Sequence, residues 1–298
     1  MIKKKLKIDF ASFWPNFVKH DNYFYHLLRT KYEVEISDQN PDLLFYSVDY
    51  GKKLAHFDSK YSNAKKIFYT GENIKPDLNF CDASISFIEN FDERNYRLPL
   101  WALHINWFNV PHSNKRDQSY LVNRDLLTNK NIKVNKHFCS FVASNESGER
   151  INFAKKLDSI KKIDSGGKLL NSTGKFVKGR GDQKWKFKYL SKFRFNIAFE
   201  NEIGNGYVTE KIFHPMCVNS IPIYWGSDFS TTDFNEESFI NVNQFNSFDD
   251  AIKKVLDLEN NIDQYISMLS QPWFKGNEYP DYVIPENVLN FISSIIES

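Results

Sequence analysis

The segment of residues 199–213 constrains the fold and the chemistry of this chain more than any other. It reads Phe-Glu-Asn-Glu-Ile-Gly-Asn-Gly-Tyr-Val-Thr-Glu-Lys-Ile-Phe. The residues before it, 192–199, are rich in aromatic and apolar side chains and predict a short strand. From Tyr207 onward the apolar spacing predicts a helix. Because ligand sites of open α/β sheets lie beyond the carboxyl ends of strands, this junction is a candidate ligand site.

A second predicted strand follows closely. Residues 220–226 read Ser-Ile-Pro-Ile-Tyr-Trp-Gly and predict a buried strand that ends at Gly226. Gly204 and Gly206 allow a tight turn or a close approach of a ligand to the backbone. Glu210 and Lys211 fall in the first turns of the predicted helix, where the helix dipole favours an anion.

The rest of the chain alternates strand-like and helical stretches. Strands are predicted near residues 6–10, 43–46, 66–69, 82–87 and 138–143, and helices near 20–32 and 148–157. This alternation predicts parallel α/β layers. The polar stretch 111–136 is interpreted as a connection between domains, and 298 residues are enough for two domain cores.

Four sequence blocks resemble the α-1,3-fucosyltransferase family, in a bacterial-like soluble form. Residues 198–227 match its motif F-E-N-x-x-G-x-x-Y-V-T-E-K followed by P-I-Y-W-G almost without interruption. Residues 68–73, Phe-Tyr-Thr-Gly-Glu-Asn, resemble its N-terminal motif, and residues 141–145 with Arg150 resemble its phosphate-side loop. Residues 164–171 resemble a further, less specific loop.

The resemblance implies a GT-B-like α/β fold, with two Rossmann-like domains facing each other across a cleft. We predict an acceptor-side domain at residues 1–125, a GDP-fucose-binding domain at 126–275 and a C-terminal helical segment at 276–298. The implied reaction is an inverting transfer of L-fucose from GDP-β-L-fucose to the 3-hydroxyl of a GlcNAc-type residue. Such a displacement needs one carboxylate base and no protein nucleophile.

The resemblance assigns the role of base to Glu72. Gly71 would let the chain turn after the strand at 66–69, so that the carboxylate could face the cleft. The competing interpretation is a carboxylate that caps a helix or loop. From its position alone this second interpretation is favoured, and the motif reverses that preference.

The resemblance also implies a set of donor-binding residues. Arg150 and Lys211 are candidates for the diphosphate, since guanidinium and ammonium groups bind phosphate oxygens. Without the motif, each would be interpreted as a surface residue, Lys211 in a helical i, i+4 pair. Glu200 fits a structural and a functional role equally well. The other candidates would orient sugar or phosphate groups and are Ser144, Asn145, Asn201, Tyr207 and Glu210.

Composition narrows the cofactors and partners. No Asp-x-Asp motif is present, so we expect neither a divalent metal nor another cofactor. A net charge of +2 argues against nucleic acid. The run of lysines and aromatic residues at 184–195 is interpreted as a solvated face. Three cysteines without metal-ligand spacing indicate a reducing, cytoplasmic location, or one peripheral to a membrane where acceptors are made. No apolar run approaches the ~20 residues of a membrane span.

Two rival functions are compatible with the same residues. One is a GT-B transferase for a different nucleotide sugar, and the other is a non-catalytic glycan-binding protein. An oligosaccharide or glycoconjugate is the expected acceptor, and the sequence leaves its identity and α-1,3 against α-1,4 linkage undecided.

Overall fold

A computed structural model describes residues 3–15, 17–48, 55–89, 91–111, 121–127, 131–144, 148–172, 174 and 183–298. In chain order, its strands and α-helices are β1 Lys5–Ala11, α1 Tyr23–Lys31, β2 Glu33–Ile36, β3 Leu43–Tyr46, β4 Lys65–Tyr69, β5 Ala83–Ser86, β6 Asn95–Arg97, β7 Ile105–Asn106, β8 Val122–Asn123, β9 His137–Phe141, α2 Gly148–Ile160, β10 Asp164–Ser165, α3 Gln183–Leu190, β11 Phe193–Ile197, α4 Glu210–Met216, β12 Ile221–Tyr224, α5 Ser230–Asp233, β13 Ile240–Asn241, α6 Phe248–Asn260, α7 Ile262–Ser270 and α8 Pro285–Glu297.

The chain divides into two compact units. The first comprises Met1–Asp117 together with Pro280–Ser298, and the second comprises Gln118–Tyr279. The C-terminal helix α8 therefore belongs to the first unit, although the sequence suggested a separate segment from residue 276. It packs there against α1, and the hydroxyl of Tyr32, which directly follows α1, donates a hydrogen bond of 3.1 Å to Ser293 Oγ. The domain limits drawn from the sequence stay a prediction.

The first unit is built on a six-stranded sheet in the order β2-β1-β3-β4-β5-β6, and every neighbouring pair is parallel. Its inner strands are buried on both faces, as in β3, where all four residues are buried. The register places Ala11 beside Tyr46 and Tyr46 beside Phe68. The carboxyl ends of β1, β3 and β4 therefore lie along one edge of the sheet.

The second unit has a five-stranded sheet in the order β10-β9-β11-β12-β13, again with every neighbouring pair parallel. The central strand β11 pairs Ile197 with Phe141 of β9 and with Ile223 of β12. Helices α2 and α6 contribute Phe153, Leu157 and Val255 to the buried core of this sheet. Parallel sheets with packed helices confirm the predicted α/β class in both units.

Candidate functional site

The loop that joins β11 to α4 is held in a defined turn. Gly206 has a φ of 81°, a conformation that favours glycine, and its N–H donates to Ser227 Oγ at 3.1 Å. Thr209 is the N-cap of α4, and its side chain accepts from the Lys211 N–H. The prediction that the helix begins at Tyr207 was wrong by three residues, because Thr209 has extended dihedral angles and caps the helix there.

Glu200 lies at the centre of this turn and is completely buried. Its Oε1 accepts from the Thr209 N–H and hydroxyl, each at 2.8 Å. Its Oε2 accepts from Lys211 Nζ at 2.7 Å and from the Thr209 hydroxyl at 2.9 Å. Gly226 packs so closely that an added Cβ would lie 2.7 Å from Glu200 Cγ. Because both oxygens of the Glu200 carboxylate accept hydrogen bonds, the carboxylate orients the loop and Lys211. Of the two roles predicted for Glu200, this arrangement favours the structural one.

Arg150 is brought to the same place by α2. The residue is 4% exposed, and Nη2 donates to the Phe199 carbonyl at 2.9 Å and to Asn201 Oδ1 at 2.7 Å. Burial lowers the pKa of Arg150, while the nearby Glu200 carboxylate opposes that shift. The alternative of a solvated surface arginine is therefore wrong. Arg150 and Asn201 form one hydrogen-bonded group at the end of β11.

The first turn of α4 contributes two charged side chains with different partners. Besides Glu200, Lys211 Nζ reaches Asn201 Oδ1 at 3.5 Å, so its partner is not an i, i+4 neighbour. Glu210 Oε1 lies 3.6 Å from Nζ of Lys186 in α3. Sequence reasoning missed Lys186, since nothing local distinguishes it from the other lysines of its run.

Tyr207 and Ser144 lie at the same edge of this sheet. Tyr207 is 3% exposed, and its N–H donates to the Gly204 carbonyl at 3.1 Å. Ser144 is exposed. Phe141 of β9 pairs with Ile197 of β11, and Ser144 follows Phe141 at the same spacing as Glu200 follows Ile197. Asn145 lies outside the described residues.

Glu72 belongs to the first unit, shortly after the end of β4. The buried Thr70 hydroxyl accepts from the Glu72 N–H at 3.0 Å and donates to the Glu72 carbonyl at 3.1 Å. A Cβ on Gly71 would lie 3.0 Å from Leu100 Cδ1, so glycine suits this turn. The Glu72 residue is half-buried. The structure thus orients the backbone of Glu72 at the carboxyl edge of its sheet.

Within the ranges given above, no three or more His, Cys, Asp or Glu side chains are grouped so that they could hold a metal ion. None of the described helices combines the length and the apolar character needed to cross a membrane.

Comparison with known proteins places this geometry in context. Residues 8–104 match the model of the α-(1,3)-fucosyltransferase FucT N-terminal domain, and residues 129–277 match the C-terminal model of glycosyltransferase family 10 (fucosyltransferase). The chain is 34% identical to the α-(1,3)-fucosyltransferase FucT of Helicobacter pylori over 291 residues, covering 89% of this chain. It is 26% identical to a putative fucosyltransferase of Acanthamoeba polyphaga mimivirus over 163 residues, covering 53% of this chain. The chain spans only 59% and 27% of the lengths of these two relatives.

Solved structures agree with this pattern over nearly the whole chain. The crystal structure of an α1,3-fucosyltransferase with GDP superposes with a TM-score of 0.76 at 29% identity, over 99% of this chain and 91% of that chain. The structure with GDP-fucose gives 0.74 at 28% identity, over 100% and 92%. The predicted GT-B type of α/β fold is confirmed by this likeness.

Proposed function

The chain belongs to glycosyltransferase family 10, the fucosyltransferases, and we propose that it transfers L-fucose from GDP-β-L-fucose to the 3-hydroxyl of a GlcNAc-type glycan residue. The observation that carries the proposal is the group of Arg150, Glu200, Asn201 and Lys211 at the carboxyl end of β11. Cations held in fixed positions by buried partners are what a departing diphosphate requires.

The donor would bind through this group. Arg150 supplies a planar guanidinium and Lys211 a compact ammonium, both suited to phosphate oxygens. The Lys211 side chain is 24% exposed, so it is not sealed off by its contact with the fully buried Glu200. Glu210, Asn201 and Tyr207 would orient the ribose or fucose. Ser144 and Asn145 would border the phosphates.

Glu72 would act as the base in the first unit. Its carboxylate would take the proton of the acceptor hydroxyl as that oxygen forms a bond to the fucosyl anomeric carbon. The bond from that carbon to the β-phosphate oxygen breaks on the opposite face, and GDP leaves with its electrons. The β-linked donor thereby gives an α-fucoside. No protein nucleophile takes part, and we propose that the cationic side chains replace a divalent metal.

Location and partners extend this proposal. We place the reaction in the cytoplasm, or at a membrane surface where acceptors are made, because Cys81, Cys139 and Cys217 are free thiols. The acceptor would be an oligosaccharide or glycoconjugate.

The test is GDP release from GDP-fucose with lactosamine, lacto-N-biose and chitobiose acceptors, without added metal. Acceptor-dependent release supports the proposal, and protection from thermal unfolding by GDP but not by UDP supports the donor. Stronger protection by UDP would instead favour a transferase for another nucleotide sugar. Glycan binding without any release would favour a non-catalytic glycan-binding protein.

A further inference from the structure

The basic residues of α3 do not form the uniform solvated face that their sequence suggests. Lys184 and Lys188 are exposed, and the Lys188 ammonium lies 5.3 Å from the centre of the exposed Trp185 ring. Lys186 instead lies on the side of the helix that carries the buried Phe187 and Leu190. Its side chain is only 26% exposed. A lysine on the inward side of a helix needs an anionic partner, since burial of an ammonium is costly.

The partner is Glu210, the first residue of α4. The Lys186 Nζ to Glu210 Oε1 distance is 3.6 Å, and the Glu210 side chain is 20% exposed. Burial lowers the pKa of Lys186, Glu210 opposes that shift, and Lys211 adds to it. The two charged residues that begin α4 are thus held from both sides, Glu210 by α3 and Lys211 by Glu200.

The two ion pairs differ in how tightly they close. Lys211 and Glu200 form a hydrogen bond of 2.7 Å around a carboxylate that is fully buried. Lys186 and Glu210 lie further apart than a hydrogen bond and are partly exposed. The first pair is a direct hydrogen bond, whereas the second acts through charge at 3.6 Å.

The positive charge of Lys186 also favours the binding of an anionic donor. Among the described side chains that these contacts join are three cations, Arg150, Lys186 and Lys211, and two carboxylates, Glu200 and Glu210. Without Lys186 the charges of these five groups would sum to zero, and the Glu210 carboxylate would repel a diphosphate nearby. Interactions between partly buried charges are screened less by salt than those between exposed charges.

We propose that Lys186 is a positioning residue of the donor site, which holds the Glu210 carboxylate in place and offsets its charge beside the GDP diphosphate. This inference rests on the proposed function, because it assumes that GDP binds at the start of α4. Of the lysines in α3, Lys186 is thereby assigned to the donor site, whereas Lys184 and Lys188 are surface residues.

The test is calorimetric titration of GDP onto the full chain, with Lys186→Met as the variant. We expect the Kd to rise about tenfold, which corresponds to ~1.4 kcal/mol. Lys184→Met removes the same charge from an exposed position of the same helix and should leave the Kd within about twofold. Lys186→Arg, which keeps the charge, should recover most of the affinity. If Lys186→Met fails to fold, Lys186→Gln carries the same comparison.

A double-mutant cycle separates positioning from a general structural effect. In a Glu210→Gln background, Lys186→Met should change the Kd less than about twofold, since the carboxylate that it acts on is gone. Equal affinity of wild type and Lys186→Met, or the full tenfold loss in the Glu210→Gln background, would overturn the inference. Failure of the wild-type chain to bind GDP would instead contradict the proposed function itself.

Discussion

The two units carry the same kind of sheet but hold their candidate functional residues differently. At the carboxyl edge of the second sheet, Glu200 and Arg150 are buried, and their side chains are bonded to neighbouring groups. At the corresponding edge of the first sheet, Glu72 is half-buried, and Thr70 holds its backbone. A preorganised charged site suits the stabilisation of a leaving diphosphate, whereas a base must exchange its proton with solvent between turnovers.

Burial of a carboxylate does not by itself separate the units. Asp9 of the first sheet is also fully buried, and it accepts from Lys19 Nζ and, at 2.6 Å, from the Tyr61 hydroxyl. The difference is the setting, because Asp9 lies within β1, whereas Glu200 lies beyond the end of its strand. Of these two carboxylates, Glu200 is the one that joins the N–H and hydroxyl of a loop residue, Thr209, to a cation at the edge of a sheet.

The largest expected effect concerns Glu72, the proposed base. Glu72→Gln should lower the turnover of GDP-fucose by about 10²- to 10⁴-fold, the usual contribution of a general base. The Kd for GDP should not change, because the variant leaves the second unit intact. Steady-state rates and GDP titration measure the two quantities. A parallel loss of GDP affinity would move Glu72 to the donor site and break the division between the units.

The second effect is on stability. Glu200→Ala should lower the free energy of unfolding by about 3 to 5 kcal/mol, because it leaves the Lys211 ammonium without its buried counter-charge. Urea unfolding measures the loss, and GDP titration in the folded range should show weaker binding. The matched control is Asp9→Asn, which should reduce stability without changing the Kd for GDP. A loss below about 1 kcal/mol for Glu200→Ala would mean that the pair is not a structural anchor.

A third and smaller effect tests the loop after β9. A Cβ on Gly167 would lie 2.2 Å from the Ala143 carbonyl oxygen and 2.4 Å from its nitrogen. Gly167→Ala should therefore displace the loop that carries Ser144 and cost about 1 to 3 kcal/mol of stability. GDP affinity should fall with it if this loop borders the phosphates.

Gly148→Ala provides the control, since an added Cβ there meets nothing within 4 Å. Its stability and Kd should match those of the wild type. If Gly167→Ala folds with a displaced loop and still binds GDP with unchanged affinity, Ser144 does not belong to the proposed donor site.

The smallest effect concerns the orientation of Glu72. Thr70→Val keeps the shape of the side chain and removes its two hydrogen bonds to the Glu72 backbone, at a cost of about 1 kcal/mol. We expect a few-fold lower turnover with an unchanged Kd for GDP. Full activity in this variant would show that the Thr70 hydrogen bonds do not position Glu72 for its proposed role as base.

The sequence predicts local features of this fold well. The strands around the signature, now seen at Phe193–Ile197 and Ile221–Tyr224, were predicted because buried parallel strands are short apolar runs. Ile212 and Met216 of α4 are buried, in keeping with the apolar spacing, and Val208 is buried just before the Thr209 cap. The true start of the helix was missed, because the capping role of Thr209 depends on the backbone angles of the turn.

Partnerships between distant residues could not be predicted in the same way. Arg150 bonds to the Phe199 carbonyl across a sequence separation of 49 residues, and this contact exists only once α2 packs beside β11. The pairing of Lys186 with Glu210 likewise depends on how α3 meets α4. The packing of α8 against α1 in the first unit also brings together residues from opposite ends of the sequence, which no local pattern indicates.

The most direct test of the central claim is the anomeric configuration of the product formed from GDP-β-L-fucose, read by proton NMR of the purified glycan. A new α-L-fucosyl linkage to the acceptor, formed by the wild type and not by Glu72→Gln, is the result that this account predicts. A β-linked product would mean retention of configuration, which a single in-line displacement cannot give, and would contradict the single-base mechanism.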